Sequence, residues 1–185
     1  LLWLGLIADA FGFENIFMQT WRIREKILDI IEETTGGRVI FGSSKVGGVR
    51  KDISPETMQR ILVLLNGYEK ETRALGDKFL ADYTVKNRLV GVGVLPKETG
   101  YLLGAVGPMA RASGIPQDLR QTGYSYYDKM KFEPIVSNSC DSWARCDVRI
   151  REIYQSFDII RQAAKLMEPG EIAIDVKGNP TGEFF

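Results

Sequence analysis

Apolar residues recur every three to four positions over three long stretches of the chain, which is the spacing that places them on one face of an α-helix. The strongest stripe predicts a helix over residues 141–167, which Pro169 and Gly170 end. The same spacing predicts helices over 17–35 and 54–83. Ser54 supplies an N-cap hydroxyl for the latter helix, and Pro55 suits its first turn.

Shorter apolar segments predict helices over 1–11 and 97–105 and strands over 38–41 and 172–176. Between them, residues 106–139 form a long stretch rich in Gly, Pro and Tyr with no helical period. A long ordered loop of this kind favours a function or an interface over a linker. The sequence therefore predicts a single domain over 1–185 that is mainly α, with a helical-bundle core and short marginal strands.

The charge balance and the lack of His exclude several classes of partner and of catalytic site. The 185 residues include 24 Lys and Arg, 24 Asp and Glu, and no His, for a formal net charge of zero. A neutral chain gives no electrostatic reason to expect nucleic acid as a partner. The lack of His excludes Ser-His-Asp and Cys-His nucleophiles and His-ligated metal sites.

The two cysteines, Cys140 and Cys146, are too few for a disulfide framework. On a helix, six residues would place them about 240° apart, so the sequence predicts that they hold no metal ion. The apolar start of the chain is too short for a membrane span and lacks the basic flank of a signal peptide. A first residue that is not Met predicts an excised piece of a longer protein.

One loop carries features of a binding turn. The residues Gly47, Gly48, Val49, Arg50 and Asp52 lie in a Gly- and Ser-rich segment just before the helix predicted at 54. Two glycines let a backbone turn approach another group closely, and the next residues project charge from it. The same pattern is also typical of a solvated turn, and spacing alone does not separate these two interpretations.

A second candidate is a network of charges. In the 106–139 stretch lie Arg111, Ser113, Asp118 and Arg120, and on the last helix Asp141, Arg145, Arg149 and Glu152 form one polar stripe. If the two groups face each other, opposite charges dock the loop on the helix. Buried pairs of this kind position backbone more than they stabilise it, so we predict a structural role.

The motifs taken together resemble one protein family. They are, in order, residues 21–29, 35–38, 47–52, 87–93, 110–114, 118–120 and 127–128, then Asp141, Arg145, Arg149, Glu152 and Ser156, and finally 169–171. In this order they are similar to the large, catalytic subunit shared by complex I, where it is called the 49 kDa subunit, and by the membrane-bound energy-converting (group 4) nickel-iron hydrogenases.

This resemblance implies a mainly helical subunit in the cytoplasmic peripheral arm of a membrane-bound oxidoreductase. It implies a small partner subunit that holds a 4Fe-4S cluster, and further membrane subunits. The hydrogenases hold a Ni-Fe centre on Cys pairs near both ends of the subunit, whereas complex I receives quinone in the corresponding cavity. The fragment is therefore expected to hold no metal, cofactor or catalytic residue of its own, since the metal-ligand ends are absent.

The resemblance also implies that Arg50, at a position held by His or Arg in the family, lies close to the partner's proximal cluster. Ala10 stands where complex I subunits carry Asp, with Asp9 beside it, and this departure favours the hydrogenase branch. NADH:quinone oxidoreductase is the alternative. A third interpretation is an isolated fragment that is inactive and serves as scaffold or docking surface, and whose partner surfaces self-associate.

Overall fold

The computed structural model describes residues 1–178 and 182. Within them, helices dominate, and the sheet consists of two strands of two residues each. The elements are α1 (Leu2–Ala10), α2 (Glu14–Thr35), β1 (Ser44–Lys45), β2 (Gly48–Val49), α3 (Pro55–Ala81), α4 (Tyr83–Leu89), α5 (Lys97–Leu102), α6 (Gly107–Arg111) and α7 (Ser142–Leu166), with 3₁₀ turns at Leu119–Thr122 and Tyr127–Lys129. The predicted fold class is confirmed.

The long helices α3 and α7 pack along each other and share two apolar clusters. One cluster joins them to α1 and α4 through Leu4, Phe79, Val85 and Ile150. The other joins them to α2 through Leu65 and Phe157, with partly buried side chains of α2 around them. The bundle core therefore extends along α3 and α7, and α1 and α2 also pack against each other.

The close approach of α3 and α7 depends on Gly76. A Cβ atom at this position would lie 2.8 Å from Cγ2 of Ile150 and closer still to the hydroxyl of Tyr154. That hydroxyl donates to Asp77 at 3.1 Å, and burial together with this hydrogen bond raises the pKa of Tyr154. Only a residue without a side chain fits at this crossing.

Side-chain caps begin three of the helices. The Ser54 hydroxyl accepts from the Thr57 amide at 3.2 Å, as its position before Pro55 predicts. Asp82 is both the last cap of α3 and the first cap of α4, where it accepts from the Val85 amide at 3.0 Å. The helix predicted to run to residue 83 therefore ends at Ala81, because the Asp82 carboxylate starts a new helix there.

Several sequence-based boundaries need correction. The helix predicted from 17 begins at Glu14, and the one predicted to reach 105 ends at Leu102. Residues 38–40 form bends and residue 41 has no regular structure, so the predicted strand over 38–41 is absent, and 172–176 contribute only an isolated bridge at Ala173. Short strands are stable only with a ladder partner, and the pattern of one segment does not reveal a partner. The 106–139 stretch, predicted without elements, contains α6 and both 3₁₀ turns.

Candidate functional site

The glycine-rich loop forms an antiparallel hairpin of β1 and β2, in which Ser44 pairs with Val49 and Lys45 with Gly48. We call residues 44–50 the hairpin. Gly47 and Gly48 have φ of 91° and 151°, values that side-chain-bearing residues rarely adopt. Gly47 therefore completes the two-residue turn and Gly48 begins β2, which brings Arg50 back beside Ser43, whose carbonyl accepts from the Arg50 amide at 2.8 Å.

The hairpin lies on residues 171–176, which we call the platform segment. The Val49 amide donates to Ile172 O and the Ile174 amide donates to Gly47 O, both at 2.9 Å. These two bonds flank the bridge between Gly48 and Ala173. The platform segment therefore pairs with the hairpin through one isolated bridge and the two flanking bonds, although its alternating pattern predicted a strand.

Arg50 is the last residue of the hairpin, and Asp52 follows just after it. Both side chains are exposed. Arg50 forms no ion pair within the described residues, and its guanidinium lies beside Gly42, where a Cβ would be 3.5 Å away. Asp52 accepts from the Ile53 amide at 2.8 Å. It lines an open cavity of about 700 Å³ between the start of α3, the end of α7 and the platform segment.

The second candidate site centres on Arg111, whose side chain is 10% exposed. Its Nε donates to Glu152 of α7 at 2.6 Å, and one terminal nitrogen donates to Gln117 O at 3.0 Å and lies 3.6 Å from Asp118. One buried guanidinium thus ties the loop after α6 to α7. We call Arg111, Asp118, Arg120 and Glu152 the charged clamp.

Asp118 and Arg120 complete the charged clamp. Arg120 donates to the Asp118 carboxylate through Nε at 3.0 Å and through a terminal nitrogen at 2.6 Å. These bonds hold the pKa of Asp118 below its usual range and raise the pKa of Arg120. The Arg120 guanidinium also lies 4.8 Å from the ring centre of Phe132.

The rest of the predicted network does not join the clamp. Asp141 caps α7 and accepts from the Gly91 and Ala144 amides, each at 2.8 Å, so it ties the 90–94 turn to α7. Arg145 donates to the carbonyl of Gly93 in the same turn. Of the candidate network, the members on the first turns of α7 therefore hold the 90–94 turn and lie outside the charged clamp.

The remaining two residues of the candidate network, Arg149 and Ser113, also lie outside the charged clamp. Arg149 lies 4.9 Å from the ring centre of Trp3 on α1, and burial lowers its pKa. Ser113 is 1% exposed, and its hydroxyl has no hydrogen-bond partner within the described residues. These residues pack the loop and α1 against α7 rather than pairing with opposite charges.

Sequence reasoning missed two glutamines that fasten the loop to α7. The side-chain amide of Gln162 accepts from the Lys131 amide at 2.7 Å and donates to the Lys131 carbonyl at 2.8 Å. Gln155 donates to Glu133 O at 2.7 Å. The one available signal was their spacing of seven residues, which places both on the face of α7 that carries Glu152.

Within the described part of the chain, no three His, Cys, Asp or Glu side chains lie together as metal ligands would. Cys146 is buried, which raises its pKa to about 11, and Cys140 is half-buried. The donor sets therefore do not fit a Ni-Fe centre held by these residues. None of the helices in residues 1–178 is both long and apolar enough to cross a bilayer.

Comparison with known proteins relates this geometry to one family. The family described as respiratory-chain NADH dehydrogenase, 49 Kd subunit, matches residues 10–181. The match includes the hairpin, the charged clamp and all of α7.

Curated relatives from three kinds of complex are similar to the chain. The membrane-bound hydrogenase subunit alpha of Pyrococcus furiosus is 33% identical, over 97% of this chain and 44% of its own length. A subunit of the F(420)H(2) dehydrogenase of Methanosarcina mazei is 34% identical, over 99% of this chain and 49% of its own. A subunit of the NADH-quinone oxidoreductase of Phocaeicola vulgatus is 38% identical, over 88% and 31%. The chain thus spans half or less of the length of these relatives.

A solved structure shares the fold. A chain of the membrane-bound sulfane sulfur reductase, an archaeal respiratory membrane complex, superposes with a TM-score of 0.88 at 26% identity. The match covers 95% of this chain and 48% of the other.

Proposed function

Because the chain belongs to the family of the respiratory-chain NADH dehydrogenase 49 Kd subunit, we propose that it is the central part of the large subunit of a membrane-associated oxidoreductase. The branch we favour is an energy-converting nickel-iron hydrogenase, which evolves or takes up hydrogen and exchanges electrons with an iron-sulfur chain. The observation that supports this choice is Ala10, at the position where complex I subunits carry Asp, and the match to a membrane-bound hydrogenase subunit along 97% of the chain agrees with it. Residues 1–185 form one domain of that subunit.

The partners that follow are a small subunit with a 4Fe-4S cluster and the membrane subunits of the same complex, in a cytoplasmic peripheral arm. A zero net charge supports protein partners over nucleic acid. The Ni-Fe ligands belong to parts of the subunit other than the described residues, which offer no matching cluster. The described residues therefore contribute positioning and electrostatics rather than ligation.

Within this function the hairpin faces the proximal cluster of the small subunit. Its support is local: Arg50 is an exposed guanidinium with no ion pair among the described residues, held on a hairpin fixed by backbone bonds. A cluster becomes more negative on reduction, so a nearby fixed positive charge favours its reduced form and raises its potential. The charged clamp has a different role, which is to hold residues 111–133 against α7.

The branch is tested on the intact parent complex. We expect purified complex to contain nickel and to reduce a viologen dye with hydrogen as electron donor. Complex that contains no nickel and instead reduces a soluble quinone analogue would overturn the hydrogenase assignment. Cys-x-x-Cys pairs upstream and downstream of this region in the parent gene are the corresponding sequence expectation.

The role of Arg50 has its own test. Arg50→Met in the intact complex is expected to move the midpoint potential of the proximal cluster to a more negative value, as followed by a redox titration with electron paramagnetic resonance. Arg50→Lys retains the charge and is expected to shift it less. A cluster potential unmoved by Arg50→Met would remove this role.

A quinone-type subunit is the second candidate. Its specific support is the identity of 38% to a curated NADH-quinone oxidoreductase subunit, higher than that to the hydrogenase relative. In that case the chain lines a quinone site, and the nickel measurement separates the two.

The isolated 185-residue chain is expected to be an inactive scaffold with a tendency to self-associate. Hydrogen uptake or quinone reduction by this chain alone would contradict that expectation. Sedimentation of the chain at several concentrations measures its self-association.

A further inference from the structure

We propose that the platform segment, residues 171–176, is the positioning element that sets where the hairpin presents Arg50. This inference rests on the proposed function of Arg50 and adds the element through which the fold controls it. The residues that act are backbone groups of Ile172 and Ile174, which do not touch the guanidinium.

The first support is the bonding pattern. The hairpin receives one hydrogen bond from the platform segment and gives one back, each 2.9 Å long and on either side of Gly48. Two bonds that flank one position fix both the distance and the register of the hairpin. Arg50 follows Val49, the residue whose amide forms one of them, and its own amide donates to Ser43 within the hairpin, so Arg50 moves with the hairpin that these bonds hold.

The second support is that the platform segment leaves no space for a side chain at Gly47 or Gly48. A Cβ at Gly48 would lie 2.7 Å from Cα of Ala173, and one at Gly47 would lie 2.9 Å from Cγ2 of Val176. Both are below the separations that real Cβ atoms adopt. The glycines are therefore required for contact with the platform segment as well as for the turn itself.

The third support is that side chains contribute little to this contact. Ile174 is 69% exposed, Val46 is 79% exposed and Val176 is 46% exposed. The position of the hairpin is consequently defined by main-chain geometry. Truncation of these side chains leaves the two bonds intact, whereas proline, which has no amide hydrogen, removes one.

The platform segment also connects the hairpin to the bundle core. It follows α7 by a few residues, and α7 is anchored in both apolar clusters. The hairpin itself is joined to α2 and α3 only by loops, with a tether from the Lys51 ammonium to the Glu33 carbonyl on its α2 side. The platform segment thus transfers the position of α7 to Arg50.

The test compares two prolines in the intact complex. Ile174→Pro removes the donor to Gly47 O, whereas Ala173→Pro is its matched control, because the Ala173 amide donates to no acceptor within the described residues. We expect Ile174→Pro to raise deuterium uptake of peptides that cover residues 44–50 at least several-fold. We also expect it to move the cluster potential in the direction of Arg50→Met, by a smaller amount. Ala173→Pro should match the wild type in both.

The outcomes separate this inference from the function on which it rests. If Arg50→Met moves the potential and Ile174→Pro does not, the positioning role is wrong while the role of Arg50 stands. If Arg50→Met leaves the potential unmoved, the role of Arg50 is wrong, and with it the inference. If Ile174→Pro prevents assembly, exchange of the wild-type complex decides: slow exchange at both Val49 and Ile174 supports the platform contact, and fast exchange at both overturns it.

Discussion

The charged clamp and the hairpin are two ways of holding a loop in place. The clamp uses long side chains, with a guanidinium 10% exposed between carboxylates that are 5% and 17% exposed. The hairpin uses main-chain bonds and two glycines, and most of its side chains are exposed. The clamp is therefore sensitive to which side chain is present, whereas the hairpin is sensitive to backbone conformation and to the absence of a side chain.

The largest expected effect lies in the clamp. Arg111→Met leaves Glu152 without its partner in a mostly buried place, so we expect the free energy of unfolding to fall by about 3 kcal/mol. Urea denaturation of the 185-residue chain measures it. The matched control is Arg38→Met, because Arg38 also pairs with three carboxylates, all of them exposed. A loss from Arg38→Met as large as that from Arg111→Met would contradict the importance of burial.

Gly76 is a glycine at a contact between two helices rather than in a turn. Gly76→Ala forces a methyl group against Ile150 and Tyr154, and overpacking of this kind costs about 1–3 kcal/mol. Gly67 lies on the same helix with open space around it, so Gly67→Ala should stabilise the chain by about 0.5–1 kcal/mol. Thermal or urea unfolding of the two variants should give opposite signs; equal signs would show that packing at Gly76 is not limiting.

A fall in pH should weaken the charged clamp before it affects the hairpin. The pKa of Asp118 is depressed by its bonds with Arg120, so its contribution to stability is complete above the Asp value of about 4 in unfolded chains and is lost as pH falls through the folded value. The unfolding free energy measured between about pH 6 and pH 3 should therefore fall less steeply in Asp118→Asn than in the wild type. A slope in Asp118→Asn as steep as that of the wild type would contradict this contribution.

The smallest global effect is expected in the hairpin. Gly48→Ala clashes with the platform segment, but the hairpin contributes no buried side chain to the two apolar clusters, so it can detach while the bundle stays folded. We expect exchange of the Val49 amide to rise about tenfold, which corresponds to about 1.4 kcal/mol of local opening. The urea midpoint should move less than in Gly76→Ala. Gly42→Ala, which only brings a methyl to ordinary contact with Arg50, should leave exchange unchanged.

The sequence predicted what depends on neighbours along the chain. The stripe and caps of α7 and α3 located both helices, because helix bonds and cap bonds join residues three or four apart. It did not predict that α3 would end at Ala81 or that residues 38–41 would form no strand. Both outcomes depend on competing partners: a second helix that Asp82 starts, and a ladder strand that residues 38–41 do not find.

In the candidate sites, too, the sequence predicted the features that depend on neighbouring residues and not those that depend on distant partners. The spacing placed Asp141 and Glu152 on one side of α7, but a helix rises about 1.5 Å per residue, so they are about 16 Å apart along its axis. The loop packs on the start of α7 through the small side chain of Ala112 against Ala144, whereas the charged Arg111 side chain reaches the later Glu152 and not Asp141. The bonds between the hairpin and the platform segment link positions more than 120 residues apart, and no local pattern contains that information.

The sharing of Asp82 between α3 and α4 has a consequence for how this subunit can vary in length. No spacer separates the two helices, so one residue inserted between Pro55 and Leu89 rotates everything after it by about 100° relative to the bundle. Val85 would leave the core, and Gly91 would lose its place beside Asp141. Insertions and deletions during the divergence of such subunits should therefore spare residues 55–91 and collect in loops outside the charged clamp and the Lys131–Glu133 contacts with α7.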